Sequence, residues 1–317
     1  MVTPLLSVCI PTYNRAPLLD QCLASLTVQF KNMPLQSEIE IVVHNNASND
    51  KTEKIVKKYI KKFKNIHYYK NEINVGADIN MCMAANHAKG KYIWFFSDDD
   101  LQKRNAISSV IKIIQKNLPD VLMVNMDLYS KDLSKILDTN LFRNKKDVFV
   151  KTKKDFFSYL EKKFFLPFDW HIGVYSSLIV SKKLFQKNWQ KVLFYNGFLN
   201  QFAHSSLFYY FPDDFKIYII ADSLVKFRAD NRSFGPSDRV QFLIYWYPIL
   251  NRHYGIIKKI NRKSITTKFI FLLTIKNLTR TMRVLILSFF KVDIADVLMK
   301  FFYRSSKGEK KKWSISV

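Results

Sequence analysis

Residues 92–100 read Tyr92-Ile93-Trp94-Phe95-Phe96-Ser97-Asp98-Asp99-Asp100, a hydrophobic run that ends in three carboxylates. The apolar part is too short for a helix and rich in aromatic residues, so it predicts a buried β-strand. The carboxylates then follow the carboxyl end of that strand, the edge where open α/β sheets bind ligands. Adjacent carboxylates repel one another unless a cation or hydrogen-bond donors compensate. Such a cluster can hold Mg²⁺ or Mn²⁺ while a diphosphate supplies further oxygens; the alternative is a solvated acidic turn that caps the next helix.

The segments around this run alternate between strand and helix. Short, mostly apolar runs predict strands at residues 5–10, 39–43, 66–69, 92–96 and 121–125. Helical spacing predicts helices at residues 17–30, 77–88 and 107–114. Ser48 is predicted as the N-cap of a further helix, which bears Ile55, Val56, Tyr59, Ile60 and Phe63. This order predicts a mostly parallel sheet flanked by helices on both faces. Neither a GxGxxG loop nor a Walker A loop occurs in the sequence, so the usual dinucleotide and P-loop fingerprints are absent.

Composition and charge restrict the class of protein. A chain of 317 residues, 48% of them hydrophobic, can bury one large core and a smaller appendage. Its net charge of +25 makes nucleic acid, an anionic membrane or anionic substrates candidate partners. No zinc-finger spacing, helix-turn-helix pattern or RNP-like motif supports nucleic acid. The three cysteines lack metal-ligand spacing and indicate cytosolic thiols, and the first residues lack the regions of a signal peptide.

Polar residues suited to a nucleotide follow the first two predicted strands. After the first strand, Tyr13 offers a ring on which a base could stack, and Arg15 offers a planar fork for phosphate. After the second strand, the amide groups of Asn45 and Asn46 can read a base or a ribose edge. Each segment alone would be typical of loops and caps. Together with the three aspartates, they place nucleotide-binding groups on three neighbouring strand ends.

Four motifs in register make the chain similar to family 2 glycosyltransferases of the GT-A fold. They are residues 7–15, residues 45–52, residues 74–76 with Asn80, and residues 90–100. The resemblance covers roughly residues 5–125 and is greatest to bacterial enzymes of O-antigen and other surface-glycan pathways, including abequosyltransferase-like enzymes. It implies a catalytic domain at residues 1–235, with a nucleotide-binding half at residues 1–125 and an acceptor half at residues 126–235. A basic, amphipathic helical region would follow at residues 236–317.

The resemblance also implies roles for residues of the nucleotide-binding half. The base pocket would be lined by Pro11, Thr12 and Tyr13. Asn45 stands where the family usually has an aspartate that accepts a hydrogen bond from the base. The wall around the ribose and the diphosphate would be shaped by Asn74, Gly76 and Asn80, with Arg15 and Asp98 also contacting the donor. The donor implied is a nucleotide-sugar, with UDP expected as its nucleotide.

The aspartate triplet corresponds to the metal-binding motif of the family. Asp99 would be the direct ligand of Mg²⁺ or Mn²⁺, and Asp100 belongs to the same metal site. Asp98 and Asp100 would also support ribose contacts and the order of the loop. Ser97 stands where the family often has the first aspartate of this motif.

The mechanism implied is an inverting transfer, in which a general base takes the proton of the acceptor hydroxyl. The stretch where the family places that base, residues 196–205, contains no carboxylate, so His204 is the candidate base. Asp169 is a second candidate, and its neighbour Trp170 could stack on an acceptor sugar. Asp213 and Asp214 are weaker alternatives.

The acceptor implied is a glycan or a lipid-linked molecule in bacterial surface polysaccharide or lipooligosaccharide synthesis. An alternative is a polyprenyl-phosphate hexose synthase, whose acceptor is a lipid phosphate. Alternatives from other classes are a transferase-fold protein that only binds its ligand and a basic nucleic-acid-binding protein.

The last part of the sequence suggests contact with a membrane surface. Residues 238–317 contain 17 Lys or Arg and 4 Asp or Glu. Leucines and aromatic residues beside these basic residues are typical of an interfacial helix on an anionic leaflet. The alternative is a helical cap with a solvated basic face. The prediction is a cytoplasmic protein that lies peripherally on the inner face of the cytoplasmic membrane.

Overall fold

A computed structural model of the chain describes residues 3–32, 38–163, 174–196, 207–208 and 210–229. The chain divides into two compact units, Met1–Ser233 and Phe234–Val317, and all of the described residues belong to the first. Four sequence predictions lie outside the described residues: Asp169, Trp170, His204 and the basic region at 236–317. Among the helices of the described ranges, none combines the length and the apolarity that a membrane span requires.

Ten strands of the described residues form one sheet, and six α-helices accompany them. The strands are β1 (Leu6–Thr12), β2 (Ile39–Asn45), β3 (Ile66–Lys70), β4 (Tyr92–Phe95), β5 (Leu101–Gln102), β6 (Val121–Tyr129), β7 (Ile136–Asp138), β8 (Val148–Val150), β9 (Leu178–Ser181) and β10 (Ile217–Arg228). The helices are α1 (Ala16–Thr27), α2 (Thr52–Ile60), α3 (Ala77–His87), α4 (Ala106–Asn117), α5 (Lys153–Lys163) and α6 (Lys182–Asn196). Short 3₁₀ turns at Val28–Asn32 and Tyr175–Ser177 complete the framework.

The sheet is parallel in its first half and mixed in its second. Strands β3, β2, β1 and β4 are neighbours in that order, and every pair among them is parallel. The short strand β9 then lies antiparallel between β4 and β6, and β10 continues parallel to β6. The parallel half confirms the arrangement that the apolar runs predict. The consequence of the order is that β1, β4, β6 and β10 all end at the same edge of the sheet.

Alternate side chains of the central strands face different helix layers. On one face, Val8 belongs to the hydrophobic core that includes residues of α1, α2 and α4. On the other face, the Cys9 thiol lies 3.6 Å from the carbonyl oxygen of Ala84 in α3, and the Phe95 ring packs 5.7 Å from the Phe185 ring in α6. Because strand side chains alternate, helices cover both faces of the sheet, as the fully apolar strands predict.

At the amino edge of the sheet, where β1, β2 and β4 begin, a buried carboxylate joins three segments. Glu40 Oε1 accepts hydrogen bonds from Ser7 Oγ at 2.6 Å and from the backbone N–H of Gly90 at 3.2 Å. A side chain at Gly90 would place its Cβ 2.5 Å from Ser7 Oγ and 2.9 Å from the carbonyl carbon of Leu6. The glycine of the Gly90-Lys91 motif is therefore explained by close packing against β1.

One local prediction is wrong. Helix α2 begins at Thr52, and the side chain of its N-cap residue, Lys51, makes no capping hydrogen bond. Ser48 instead links two loops, because its N–H donates to Asn45 Oδ1 at 2.9 Å and its Oγ accepts from the Asn14 N–H at 2.9 Å. The first turn of α2 is served by Asp50, whose Oδ1 accepts from the Thr52 N–H at 3.0 Å.

Candidate active site

The carboxyl ends of β1, β2 and β4 meet, and we call this the carboxyl edge. Thr12 in β1 pairs with Asn45 in β2. Thr12 also reaches the chain that follows β4, because its Oγ1 donates a 2.7 Å hydrogen bond to Asp98 Oδ2. The backbone N–H of Asn46 donates to the carbonyl of Thr12 at 2.9 Å. Residues from three predicted strand ends are therefore brought together as the sequence suggests.

One guanidinium group bridges two of the three aspartates. Arg15 Nη1 lies 3.0 Å from Asp98 Oδ1 and 3.2 Å from Asp99 Oδ2. Ser97 Oγ donates to the other carboxylate oxygen of Asp99. The side chain of Asp98 is 5% exposed and that of Asp99 is 13% exposed, so Asp99 is the more accessible of this pair. The Arg15 guanidinium group therefore contacts the carboxylates of both Asp98 and Asp99.

Asp100 points into the protein. It is fully buried, with Oδ2 accepting from Ser176 Oγ at 2.6 Å and Oδ1 accepting from the Arg228 N–H at 3.1 Å. Ser176 Oγ also accepts a hydrogen bond from the Ser97 N–H at 3.0 Å. Because both of its oxygens are used within the chain, Asp100 fits the role of ordering the loop better than that of a metal ligand.

Crowding changes the electrostatics of this acidic loop. Burial, together with the charge of Asp99, raises the pKa of Asp98 to about 6, although Arg15 and Thr12 act against this rise. Burial and Asp99 also raise the pKa of Asp100 well above its usual value. Negative charge is therefore unfavourable here, and a cation bound at the loop would relieve it.

The carboxylates of the loop match the chemistry of Mg²⁺ or Mn²⁺, which prefer oxygen ligands. Across the described ranges, no three His, Cys, Asp or Glu side chains are grouped so that they could hold a metal ion. Mg²⁺ is commonly bound through one or two carboxylates and the phosphates of a substrate. Asp99, with Asp98 beside it, can provide such a set, and the diphosphate of a nucleotide would complete it.

An asparagine network fixes the loop between β3 and α3. Asn46 Oδ1 accepts from the Val75 N–H at 2.9 Å and from Asn71 Nδ2 at 3.0 Å. Asn46 Nδ2 donates to Asn74 Oδ1 at 2.7 Å and to the Gly76 carbonyl at 3.3 Å. The amide of Asn46, which the sequence suggests for reading a ligand, thus holds Asn74 and Gly76 in place.

Asn80 extends this network into α3. Its Nδ2 donates to the His44 carbonyl at 3.0 Å, and its Oδ1 lies 2.9 Å from His44 Nδ1. Asn80 is also buried, so it stabilises the wall of the site from behind. Burial lowers the pKa of His44, which favours its neutral form beside Asn80.

The residues predicted to contact the base of the nucleotide differ in exposure. Asn45 is fully buried, with Nδ2 donating to Tyr68 Oη at 2.8 Å and Oδ1 accepting from the Ser48 N–H. Tyr13 is 44% exposed and presents its ring at the carboxyl edge. Pro11 is partly buried at the end of β1. An exposed ring is available for stacking, whereas Asn45 organises the loop that follows β2.

Two residues that contact the acidic loop were missed by sequence reasoning. Ser176, in the 3₁₀ turn before β9, contacts Asp100, and Arg228 ends β10 and contacts both Asp99 and Asp100. They come from far along the chain, and no motif around either residue marks it. Ser176 reaches the loop because its turn leads into β9, which adjoins β4, and Arg228 reaches it because β10 runs parallel to β6.

The structure excludes two weaker candidates for the general base. Asp213 and Asp214 precede β10, and its first residue, Ile217, pairs with Val121 at the start of β6. Because β10 runs toward the carboxyl edge, both aspartates lie at the opposite edge from Asp99. The Asp213 side chain is 94% exposed and lies 3.5 Å from Lys153 Nζ.

Comparisons with known proteins agree with this architecture. An uncharacterized glycosyltransferase of Methanocaldococcus jannaschii is 27% identical over 254 residues, covering 80% of this chain and 81% of that protein. Abequosyltransferase RfbV of Salmonella typhimurium is 26% identical over 239 residues, covering 73% of this chain and 68% of that protein.

The crystal structure of Staphylococcus aureus TarS in complex with UDP has a TM-score of 0.56 and 18% identity, covering 98% of this chain and 94% of that one. At this identity the likeness shows the fold, and the GT-A fold predicted from the sequence is confirmed. The model of the family "Glycosyl transferase family 2" matches residues 7–189. The chain therefore belongs to glycosyl transferase family 2.

Proposed function

We propose that this glycosyltransferase moves a sugar, with inversion, from a UDP-sugar to a glycan or lipid-linked acceptor of bacterial surface-glycan synthesis. The observation that carries the proposal is the cluster of Thr12, Arg15, Asp98 and Asp99 at the carboxyl edge. It places carboxylates for a divalent cation beside a guanidinium group suited to phosphate. The family membership supports sugar transfer, and the carboxyl edge supports a nucleotide-diphosphate donor.

The residues of the carboxyl edge have separate roles in this proposal. A bound Mg²⁺ or Mn²⁺ would stabilise the negative charge that develops on the leaving diphosphate. Thr12 holds the Asp98 carboxylate in a fixed orientation, which limits its reorganisation when the donor binds, whereas Arg15 balances the charge of Asp98 and Asp99 until a cation takes that place. The exposed Tyr13 ring offers a surface on which the base can stack. The loop at residues 71–76, fixed by Asn46, forms the wall beside the ribose.

Binding and product analysis test the proposal. Calorimetry should show UDP binding that is strengthened by Mn²⁺, and a panel of UDP-sugars should reveal the donor by release of UDP. Proton NMR of the product should then show the opposite anomeric configuration to that of the donor. A protein that binds no UDP with or without Mn²⁺ would refute the donor assignment, and a retained configuration would refute the inverting mechanism.

The proposed general base is His204, with Asp169 as the second candidate. A positioned base contributes roughly 10²–10⁴-fold to the rate. His204→Ala should therefore lower kcat by this factor while the Kd for UDP stays close to that of the wild-type protein. If kcat falls less than about tenfold, the Asp169→Asn variant should show the large loss instead.

We also propose that the basic region attaches the enzyme to an anionic membrane, where a lipid-linked acceptor would be found. Each Lys or Arg near an anionic surface contributes ~1 kcal/mol to binding. Deletion of residues 264–317 should release the protein from anionic vesicles in co-sedimentation at low salt, while UDP binding is retained. Sedimentation of the shortened protein with vesicles would place the attachment elsewhere, for example on the seven lysines between Lys51 and Lys64.

A further inference from the structure

Arg228, the last residue of β10, makes four contacts from one buried position. It is 6% exposed, and its Nε donates to the Asp99 carbonyl at 2.9 Å. Its Nη1 donates to the Lys131 carbonyl at 2.6 Å, and its Nη2 donates to Gln21 Oε1 at 2.7 Å. Its own N–H donates to Asp100 Oδ1 at 3.1 Å. One side chain thus joins the acidic loop, helix α1 and the loop that follows β6.

These contacts use the particular geometry of arginine. A buried charge is costly unless hydrogen bonds satisfy it, and here the three nitrogens of the guanidinium group each have an acceptor. The planar fork reaches acceptors in three directions, which a lysine ammonium on a flexible stem does not reproduce. Arg228 is therefore a rigid link between its three partners, and the Asp99 peptide is one of them.

The two arginines of the acidic loop contact Asp99 differently. Arg15 binds the Asp99 carboxylate itself, at the oxygen Oδ2, and therefore occupies an oxygen that a metal ion would use. Arg228 binds the Asp99 carbonyl and leaves the carboxylate oxygens to other partners. A cation that binds the carboxylate competes with Arg15, whereas the contact made by Arg228 can persist in both states.

We propose that Arg228 is a positioning residue that fixes the peptide of Asp99 so that its carboxylate faces a divalent cation. The proposal rests on the proposed metal-dependent function. Groups that orient a metal ligand from behind typically change metal affinity roughly 10–100-fold when they are altered. In this protein such a group comes from β10, in the half of the chain predicted to bind the acceptor. The acidic loop of the nucleotide-binding half is thus held by a residue that lies 129 positions after Asp99.

The test compares Arg228→Lys with Arg143→Lys. Arg143 pairs with Asp138 on the surface, where its side chain is 56% exposed, so it receives the same substitution away from the acidic loop. Calorimetry gives the affinity for Mn²⁺ in the presence of UDP and the affinity for UDP without metal. We expect Arg228→Lys to weaken Mn²⁺ binding roughly 10–100-fold and to leave metal-free UDP binding unchanged. Arg143→Lys should change neither affinity.

Hydrogen–deuterium exchange of the ligand-free protein provides a readout that is independent of metal and activity. A peptide that covers residues 95–103 should exchange faster in Arg228→Lys than in Arg143→Lys, because the restraint on the Asp99 peptide is lost. Unchanged exchange of this peptide, or unchanged Mn²⁺ affinity in a folded Arg228→Lys protein, would overturn the proposal. A wild-type protein that binds no UDP would refute the proposed donor. Hydrogen–deuterium exchange and the affinity for Mn²⁺ without UDP would then still test the role of Arg228.

A second variant covers the case in which Arg228→Lys does not fold. Gln21 lies exposed on α1, so Gln21→Ala removes one acceptor of the guanidinium group without opening the core. The expected result is a smaller change in the same direction, in both Mn²⁺ affinity and exchange of residues 95–103. An unchanged result for both measurements in Gln21→Ala, with Arg228→Lys unfolded, would count against the proposal.

Discussion

The two edges of the central sheet both bury carboxylates, but they treat the negative charge differently. At the amino edge, Glu40 Oε1 accepts from Ser7 Oγ and from the backbone N–H groups of Lys89 and Gly90. Its other oxygen lies 3.4 Å from His67 Nε2. One carboxylate therefore meets several donors that the fold itself provides.

At the carboxyl edge, three carboxylates stand next to one another and two guanidinium groups contact this loop. Burial and mutual repulsion raise the pKa of Asp98 and of Asp100. A buried carboxylate surrounded by donors, such as Glu40 or Asp100, therefore serves architecture, whereas Asp98 and Asp99, crowded together at the carboxyl edge, are suited to a ligand that brings positive charge. Substitutions at the two edges should accordingly affect different properties.

The largest expected effect is the loss of activity in Asp99→Asn. The substitution keeps the size of the side chain but removes the charge that would hold a metal ion. We expect metal-dependent transfer to fall roughly 10²–10³-fold, the scale for losing one preorganised electrostatic group. The melting temperature should stay close to that of the wild-type protein. Turnover with Mn²⁺ is the measurement.

Asp213→Asn is the matched control, because its exposed carboxylate lies at the opposite edge. It should retain full activity. Equal rates for Asp99→Asn and the wild-type protein would remove the contrast between the two edges.

At the amino edge, Glu40→Ala should reduce stability and leave ligand binding alone. The substitution leaves Ser7 Oγ and the Lys89 N–H without their acceptor, whereas the Gly90 N–H still donates to Ser7 Oγ at 2.8 Å. An unsatisfied buried polar group costs about 1–3 kcal/mol, so the free energy of unfolding should fall by roughly 3 kcal/mol. Urea denaturation measures this fall. A change in the Kd for UDP of the folded variant, without loss of stability, would show that Glu40 belongs to the site.

Gly90→Ala sharpens the same contrast through packing. The new methyl group would lie 2.8 Å from the backbone nitrogen of Ser7 and 2.9 Å from the carbonyl carbon of Leu6, so β1 or the loop must move. Overpacking of this kind costs about 1–3 kcal/mol. If Gly90→Ala unfolds at the same urea concentration as the wild-type protein, the packing argument fails.

The smallest effect is expected for Tyr13→Ala. Stacking of an aromatic ring on a base contributes about 1 kcal/mol, which corresponds to a roughly fivefold weaker Kd for UDP. Phe149→Ala is the matched control, because Phe149 is 41% exposed and Tyr13 is 44% exposed. Phe149 lies away from the carboxyl edge, since β8 pairs with the first residues of β10. Calorimetry with both variants should show weaker binding only for Tyr13→Ala. Equal affinities would mean that Tyr13 does not contact the base.

Local sequence patterns were sufficient to predict the parallel half of the sheet and several residues of the site. The runs that became β1 to β4 are short and mostly apolar, as burial on both faces of a parallel sheet favours. Thr12 and Asp98 could be anticipated at one edge because each follows such a run. Asp169, His204 and the basic region remain predictions, since they lie outside the described residues.

Tertiary structure decided what depends on distant segments. Strand β9 is only four residues long, and nothing in its sequence shows that it lies antiparallel between β4 and β6. The amide of Asn46 could contact a ligand or hold a loop. It holds the loop because Asn71 and Val75 lie within hydrogen-bonding distance of its oxygen. Arg228 reaches Asp99 because β10 runs parallel to β6 and ends at the carboxyl edge. Sequence patterns report the burial of each segment, whereas partners that are far apart in the chain become neighbours only through the order of the strands.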